Sequence, residues 1–331
     1  MSAPGAHRFP LADGHADSLM WNRDLTARHR GGHVDFPRLL EAGVRLQCFT
    51  VVTRGYPFVD GLGALALARR WPRSARRGEW ARCTFQLDRL EAACAASGGT
   101  VGIAGTAATL EENLASGRLS AVLGVEGAHA LEGRPERVRE LRSRGVAFMS
   151  LTHLANNALG GSSTPLMGNR PLTDLGRAVL EEMAGVRMAV DLAHASPRTL
   201  ADILALGGPR PFSSHTGVAG VTPSWRNLDD ETLRAIADRG GVVGIIFGTI
   251  YLGGRTLEDV VRHVEHALSV AGGDAVAFGS DFDGLVPLPR GLRDVTDVPR
   301  LVEALARRLP AWLVEKVAWG NWRRFFAEVL G

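Results

Sequence analysis

Residues 187–215, RMAVDLAHASPRTLADILALGGPRPFSSH, decide the fold. An apolar run at 187–193 is followed by helical spacing over Pro197–Leu206 and by a second apolar run at 210–215. Ser196 before a proline is a typical helix start, because the serine side chain can accept a hydrogen bond from a free backbone N–H and proline fits the first helical position. Neither apolar run alternates strictly, as is typical of parallel strands buried on both faces. The stretch predicts a strand–helix–strand unit.

The same order of apolar run, turn and helical segment recurs along the chain. Apolar runs that predict strands lie at 9–15, 44–52, 120–126, 146–153, 187–193, 210–215, 241–247 and 275–281. Helical spacing is found at Arg134–Arg144, Thr173–Ala184, Pro197–Leu206, Asp229–Arg239, Thr256–Ala271 and 78–97. Eight strands that alternate with helices predict an α/β fold of the closed (β/α)8 TIM-barrel type.

The alternative architecture is an open, doubly wound parallel sheet. That fold usually has a glycine-rich phosphate-binding turn after its first strand. The segment that follows the first run here, HADSLMWNRDL at 15–25, has no such turn. We find no internal repeat, linker or low-complexity segment, so residues 1–331 are expected to form a single domain.

Composition and charge restrict the class of protein. Hydrophobic residues make up 45% and charged residues 22% of the 331 residues, as in a soluble globular enzyme. Lys316 is the only lysine, and the arginines form no long cationic run, so nucleic acid is not an expected partner. The three cysteines, Cys48, Cys83 and Cys94, have no CxxC spacing. With no apolar leader and no membrane anchor in the sequence, a cytoplasmic protein is expected.

A histidine or a carboxylate stands at the end of six of the eight predicted strands. The residues are His15, Asp17, Glu126, His153, His194, His215 and Asp281. Barrel enzymes build their active sites at the carboxyl ends of their strands. Each residue alone has an ordinary structural explanation, such as a hydrogen-bonded core histidine or a helix cap. Their joint occurrence at one end of the barrel favours a metal site.

The spacing of these residues suggests how two metal ions would be shared. His15 and Asp17 are two apart, so both side chains can point towards one ion. His194 and His215 follow adjacent strands and can hold a second ion, with Glu126 placed to bridge the two. Imidazole and carboxylate ligands suit zinc, although manganese, iron or cobalt also bind such sets.

The chain resembles the membrane dipeptidase family of zinc metallopeptidases, in the wider amidohydrolase group. The resemblance rests on short motifs spread over nearly the whole chain. They are DGHAD at 13–17, VEG at 125–127, LTHxxxN at 151–157, DLAHAS at 191–196, SHT at 214–216, GSDFDG at 279–284 and GNWRRFF at 320–326. The resemblance implies that His15 and Asp17 bind the first zinc, that Glu126 bridges, and that His194 and His215 bind the second.

The same resemblance implies roles for three further residues. His153 would contact the substrate carbonyl or the tetrahedral intermediate. Arg226 would bind the terminal carboxylate, and Asp281 would hold the free amine and transfer the proton. A guanidinium fork suits a carboxylate, and an aspartate beside the metals can act in proton transfer. For Asp283, two residues further on, we expect a structural role in its loop.

The expected function is that of a metal-dependent dipeptidase, in which a metal-bridging hydroxide attacks the peptide bond. The residue at the C-terminal position could be D or L. The alternatives are a binuclear amidohydrolase acting on N-acyl amino acids or lactones, and a metal-binding barrel without turnover. The family suggests a homodimer. The remaining histidines are expected to be structural or on the surface, and they are His7, His29, His33, His129, His263 and His266.

Overall fold

The computed structural model describes residues 9–54 and 58–331. Within these ranges the strands are β1 Leu11–Ala16, β2 Val44–Val52, β3 Val101–Ile103, β4 Leu119–Glu126, β5 Val146–Ser150, β6 Ala189–Asp191, β7 Pro211–Thr216, β8 Val243–Ile245 and β9 Val276–Phe278. The α-helices are α1 Phe36–Glu41, α2 Gly61–Ala68, α3 Glu79–Ala96, α4 Ala107–Ala115, α5 Arg137–Ser143, α6 Asp174–Gly185, α7 Pro197–Leu206, α8 Asp230–Ala237, α9 Thr249–Leu252, α10 Leu257–Ala271, α11 Val298–Ala306, α12 Ala311–Glu315 and α13 Asn321–Leu330.

Eight parallel strands form a nearly closed barrel in the order β1-β2-β4-β5-β6-β7-β8-β9. The predicted (β/α)8 fold is therefore confirmed. Closure between β9 and β1 occurs just beyond the strand ends, where the Asp17 backbone N–H donates to the Phe282 carbonyl over 2.8 Å. The Asp281 N–H donates to the His15 carbonyl over 3.2 Å. The barrel is thus closed by segments that carry candidate site residues.

All eight predicted strands are present, but several end earlier than their apolar runs. The run at 146–153 pairs as a strand to Ser150, and the run at 275–281 pairs to Phe278. His194 and Asp281 have φ values of 66° and 59°, which a strand cannot accommodate. His153, His194 and Asp281 consequently lie in loops after their strands.

Strand β3 was not predicted. It has three residues, VGI, and pairs in parallel with Leu119–Ala121 at the start of β4. A three-residue segment that contains a glycine has no period to detect, and its position depends on the neighbouring strand. The helix predicted at 78–97 is confirmed as α3.

Helix α13 packs into the barrel from the end at which the strands begin. Trp322, Phe325 and Phe326 form one buried cluster with strand residues that include Phe148 and Phe212. The Trp322 indole N–H also donates to the Phe278 carbonyl over 2.7 Å. Aromatic side chains therefore fill this end of the barrel, and the opposite end remains for chemistry.

No α-helix within the described ranges combines the length and the apolar character needed to cross a bilayer.

Candidate metal centre and active site

Four imidazoles converge on the carboxylate of Glu126, which is 2% exposed at the end of β4. Its Oε1 atom lies 3.1 Å from His194 Nε2, 3.5 Å from His15 Nε2 and 3.6 Å from His215 Nε2. Its Oε2 atom lies 3.4 Å from His153 Nε2. Among the described residues, this buried Oε2 has no hydrogen-bond partner. Glu126, which the sequence predicts to bridge two ions, thus lies within 3.6 Å of all four imidazoles.

Two acidic side chains lie on one side of this centre. Asp17 Oδ1 is 3.3 Å from His15 Nε2 and accepts a hydrogen bond of 2.6 Å from the hydroxyl of Thr50. The carboxylate of Asp281 shares this corner, since its ligand atom lies within 4.8 Å of those of His15 and Asp17. A Cβ atom at Gly284 would lie 2.0 Å from Asp281 Oδ1, so this turn has no space for a larger residue.

The other side of the centre is made of histidines. His194 Nε2 and His215 Nε2 are 3.2 Å apart. The ring of His153 meets that of His194 edge-on, with centroids 4.7 Å apart. His194 Nδ1 and His153 Nδ1 are buried and unpartnered within the described part of the chain.

Burial and neighbouring charges shift the pKa values of the site residues in different directions. It raises the pKa of Glu126 well above its usual range, and it raises the pKa of Asp281 to about 7 with help from the negative charge of Asp17. Burial alone would raise the pKa of Asp17 as well, but the neighbouring His15 holds that pKa below its usual value. Burial would lower the pKa of His15, yet Glu126 and Asp17 outweigh it and raise that pKa to about 10.

The remaining imidazoles are held neutral. Burial lowers the pKa of His153 to about 3 and the pKa values of His194 and His215 well below their usual range. Neutral imidazole is the form that binds a metal ion, since one ring nitrogen then offers a free lone pair.

These donors fit divalent cations. Among the described residues, three groups have ligand atoms within 4.8 Å of one another, and they are His15–Glu126–His215, Glu126–His153–His194 and His15–Asp17–Asp281. Buried carboxylates and neutral imidazoles with unpartnered atoms are costly unless a cation or a hydrogen bond compensates them. The groups include His153 and Asp281, which the sequence analysis assigned to the substrate. The site is therefore more compact than the predicted division suggests.

Comparisons with known proteins bear on this site. The model of the membrane dipeptidase family, peptidase family M19, matches residues 6–330. The chain belongs to the membrane dipeptidase family. The family that the motifs indicated is thus confirmed, and the chain is a hydrolase of the metallo-dipeptidase class.

Relatives within the membrane dipeptidase family include two fungal proteins. An uncharacterized dipeptidase of Schizosaccharomyces pombe is 28% identical over 318 residues, which cover 91% of this chain and 76% of that protein. A dipeptidase of Aspergillus oryzae is 29% identical over 321 residues, which cover 91% of this chain and 73% of that protein.

Two solved structures have the same fold. Dipeptidase AC, a metallopeptidase, is 26% identical with a TM-score of 0.81, and the match covers 98% of this chain and 100% of that one. A metallopeptidase from Rhodobacter sphaeroides, liganded with a phosphinate mimic of the dipeptide L-Ala-D-Ala, is also 26% identical with a TM-score of 0.81. That match covers 98% of this chain and 99% of the other.

Arg226 of this dipeptidase lies beside the metal centre and is 2% exposed. Its Nη2 donates to the His215 carbonyl over 2.8 Å, and its Nε is buried without a partner in the described structure. Together with His194, Ser163 and Trp225 it lines a cavity of about 380 Å³. The guanidinium is thus anchored at one atom and unpaired at another, next to the site.

Sequence reasoning missed three residues that hold the site in place. They are Thr50, Asp191 and Ser214, all buried. Asp191 opens the DLAH motif and Ser214 precedes His215 in SSH, so both stood inside quoted motifs. Their position inside these motifs was a signal, but it does not distinguish a residue that supports the site from one in the core.

Asp283, for which we expect a structural role in its loop, is held by contacts with residues of the segment 18–33. It accepts from the Ser18 hydroxyl over 2.6 Å and from the His33 backbone N–H over 2.8 Å, and it pairs with Arg23. Its φ of 66° shows that the loop holds it in a conformation that L-residues rarely adopt.

The histidines that were assigned no site role mostly have local partners. His33 Nδ1 accepts from the Asp283 N–H, His263 Nδ1 accepts from the Val218 N–H, and His266 pairs with Asp230. His29 Nε2 lies 2.8 Å from the Asp24 carbonyl. His7 lies outside the described residues. His129 differs, because burial lowers its pKa to about 4 and neither ring nitrogen has a partner among the described residues.

Proposed function

We propose that two divalent cations, with zinc preferred, are bound by His15, Asp17, Glu126, His194 and His215. The observation that carries the proposal is the convergence of imidazole Nε2 atoms on the buried Glu126 carboxylate at 3.1–3.6 Å. Imidazole and carboxylate are ligands that zinc accepts readily, and a buried carboxylate with a raised pKa gains most from a cation. Glu126 is the bridging residue in this proposal.

When bound, such a pair of ions would polarise the scissile carbonyl and lower the pKa of a water molecule near neutrality. The residues of the chain position the substrate around that chemistry. Arg226 binds the terminal carboxylate of the dipeptide, because its unpaired Nε can complete a forked contact. His153, at the edge of the centre, contacts the oxygen of the scissile carbonyl and stabilises the negative charge that develops there.

Asp281 acts on the amine side of the substrate. In the metal-free chain, burial and the charge of Asp17 raise the pKa of Asp281 to about 7, so this carboxyl holds a proton more readily than a free aspartate does. A carboxyl with a raised pKa suits a general acid–base. Asp281 therefore holds the free amine of the dipeptide and supplies the proton that the leaving amine needs.

The substrate is a dipeptide with a free carboxylate. The Rhodobacter sphaeroides relative was liganded with a mimic of L-Ala-D-Ala. We infer that this chain likewise accepts a D-residue at the C-terminal position. Arg226 would bind the terminal carboxylate of either configuration.

We also propose that the chain forms a single domain and is cytoplasmic. The C-terminal helix α13 shares a buried cluster with Ala12 near the start of β1, which favours a single domain. Cys48, Cys83 and Cys94 all lie in the described ranges and none forms a disulfide, which agrees with a reducing, cytoplasmic compartment. A homodimer stays a prediction from the family.

The test combines metal analysis with a substrate panel on one preparation. Metal content is measured by elemental analysis, and hydrolysis of L,L- and L,D-dipeptides, N-acyl amino acids and lactones is assayed before and after chelation. About two equivalents of metal with chelator-sensitive dipeptide cleavage is the expected result. Two equivalents with cleavage of N-acyl amino acids or lactones alone would overturn the substrate assignment. A preparation that binds no metal and stays inactive after metal addition would overturn the site itself.

A further inference from the structure

The hydroxyl of Ser214 lies between two imidazoles of the metal centre. Ser214 Oγ is 3.0 Å from His15 Nδ1 and 2.9 Å from His215 Nδ1. It also lies 2.5 Å from Asp191 Oδ2. The serine is fully buried, and Asp191 is 2% exposed. The two histidines come from β1 and β7, and one hydroxyl between them connects the two halves of the centre.

Counting protons fixes the direction of every bond in this cluster. An ionised carboxylate only accepts hydrogen bonds, and the Asp191 Oδ1 atom accepts from the backbone N–H groups of Ser214 and Ala193, each over 3.0 Å. The single hydroxyl proton of Ser214 must then point to Asp191 Oδ2. The hydroxyl oxygen has two lone pairs left, and each can accept one N–H. Both Nδ1 atoms, of His15 and of His215, therefore carry a proton.

A proton on Nδ1 determines what Nε2 can do. Neutral imidazole is the form that binds a cation, and only one of its nitrogens carries a proton. With that proton on Nδ1, the Nε2 lone pairs of His15 and His215 are left for ions bound beside Glu126. The bond that a histidine makes through its second nitrogen is known to set its tautomer and its strength as a ligand. Because one serine sets the tautomer of two histidines, it would affect the binding of both ions.

We propose that Ser214, held by Asp191, is a positioning residue that sets the tautomer of His15 and His215 together and so couples the two metal sites. This inference rests on the ligand roles proposed above. It adds that the sites are not independent, because they share one hydroxyl. Loss of that hydroxyl lowers the affinity for both ions by roughly 10- to 100-fold, which is the usual contribution of a group that hydrogen-bonds to a metal ligand.

Two substitutions separate this role from simple packing. Ser214→Ala removes the acceptor from both imidazoles. Asp191→Asn keeps the volume but turns an acceptor into an amide that donates to the Ser214 hydroxyl. The hydroxyl proton must then point to one of the two Nδ1 atoms, and that histidine carries its proton on Nε2, where it blocks the ligand position. A packing role would hardly change on Asp191→Asn.

The experiment measures zinc affinity of the metal-depleted full chain by competition with a chromophoric chelator, together with histidine ¹⁵N NMR of the zinc-loaded form. Wild type is expected to bind two ions through Nε2. Ser214→Ala is expected to lose 10- to 100-fold in affinity for both ions. Asp191→Asn should keep one ion and lose most affinity for the other. Ser213→Ala is the matched control, since the Ser213 hydroxyl faces the His215 carbonyl at 3.5 Å.

The outcomes distinguish this inference from the proposed function. If wild type binds no zinc, both fail. If wild type binds two ions and Asp191→Asn binds both with unchanged affinity, only the inference is overturned. Asp191→Asn also decides the question if Ser214→Ala does not fold, because it preserves the volume of the cluster. A wild-type spectrum with Nδ1-bound zinc at His15 or His215 would contradict the tautomer assignment directly.

Discussion

His153 Nε2 lies 3.4 Å from Glu126, closer than His15 and His215 but farther than His194. The family resemblance implies that His153 binds the substrate. His153→Ala should lower kcat by about 10²- to 10³-fold, the usual effect of removing one group that stabilises an oxyanion. Both metal ions should remain, because the proposed ligands are elsewhere. Steady-state kinetics and elemental analysis of the same sample test this. Loss of one equivalent of metal would show that His153 is a ligand.

Arg226 offers a test that compares two substrates. Arg226→Lys keeps the positive charge but removes the fork, so it should raise KM for dipeptides by roughly 10-fold or more. Hydrolysis of the matching dipeptide amides, which have no terminal carboxylate, should hardly change relative to wild type. The ratio of kcat/KM for acid and amide is the measurement. An equal loss for both substrates would mean that Arg226 supports the end of β7 at His215 and does not bind the carboxylate.

Asp281 gives a pH prediction with a definite sign. In the folded, metal-free chain its pKa is raised to about 7 by burial and by Asp17, whereas an unfolded aspartate titrates near 3.8. The folded form thus binds the proton more tightly, and this contribution to stability is present below about pH 4 and lost as the pH rises to 7. Asp281→Asn removes the titrating carboxyl and therefore abolishes this loss of stability at higher pH. From pH 5 to pH 8 the free energy of unfolding should shift in favour of the variant, by at most about 2.7 kcal/mol.

Urea unfolding of the metal-depleted wild type and of Asp281→Asn, each at pH 5 and pH 8, measures that shift. The comparison between pH values within one variant removes the constant effect of the substitution. A difference between the two chains that stays the same at both pH values would show that Asp281 is not the group that titrates.

Predictability at the residue scale depended on whether a residue carries a recognisable ligand group. His15, Glu126 and His215 were predicted because parallel strands bring their carboxyl ends to one edge of a barrel. Ser214 was not predicted, because the sequence does not distinguish a buried strand serine at the site from one in the core. Its partner His15 is 199 positions away, and only the folded chain brings them together.

At the scale of elements, helix α13 supports the barrel by packing into the end at which the strands begin. A Cβ atom at Gly14 would lie 2.3 Å from the ring of Trp322, so helix and strand are in direct contact. Trp322→Ala should lower the free energy of unfolding by about 3–5 kcal/mol, as large-to-small changes in a core do. Chemical denaturation measures this. Trp312→Ala is the control, since the Trp312 side chain is 59% exposed and should change stability little. Equal effects would exclude the supporting role of α13.

Elements were predictable where local chemistry decides them. Helix α7 begins after Ser196, whose side chain caps the Thr199 N–H, and its bounds match the sequence pattern. Strand ends were less predictable, because the apolar runs continue into loops that leave the sheet at His194 and Asp281. The positive φ at those positions costs on the order of 1–3 kcal/mol each and is tolerated because closure of the barrel holds them. No local pattern encodes that constraint.

At the scale of the whole molecule, a barrel filled with aromatic side chains at one end holds a buried group of like charges at the other. Asp17, Glu126 and Asp281 share one enclosed site. Burial raises the pKa of Glu126 and of Asp281, and the negative charge of Asp17 raises both further. The metal-depleted chain must either protonate these carboxyls or bear their repulsion. Bound cations would remove the conflict, so the proposed ions should contribute to the stability of the fold as well as to catalysis.

Chelation should therefore lower Tm as well as activity. A ligand present at 100 times its Kd stabilises a folded chain by about 2.7 kcal/mol, and two such ions shift the Tm of a chain of this size by roughly 8 °C. Calorimetry with and without added zinc measures the shift. Glu126→Gln removes the central charge, so its metal-depleted form should unfold at a higher temperature than metal-depleted wild type, and zinc should raise its Tm much less. If zinc raises the Tm of both chains equally, the ions do not bind through Glu126.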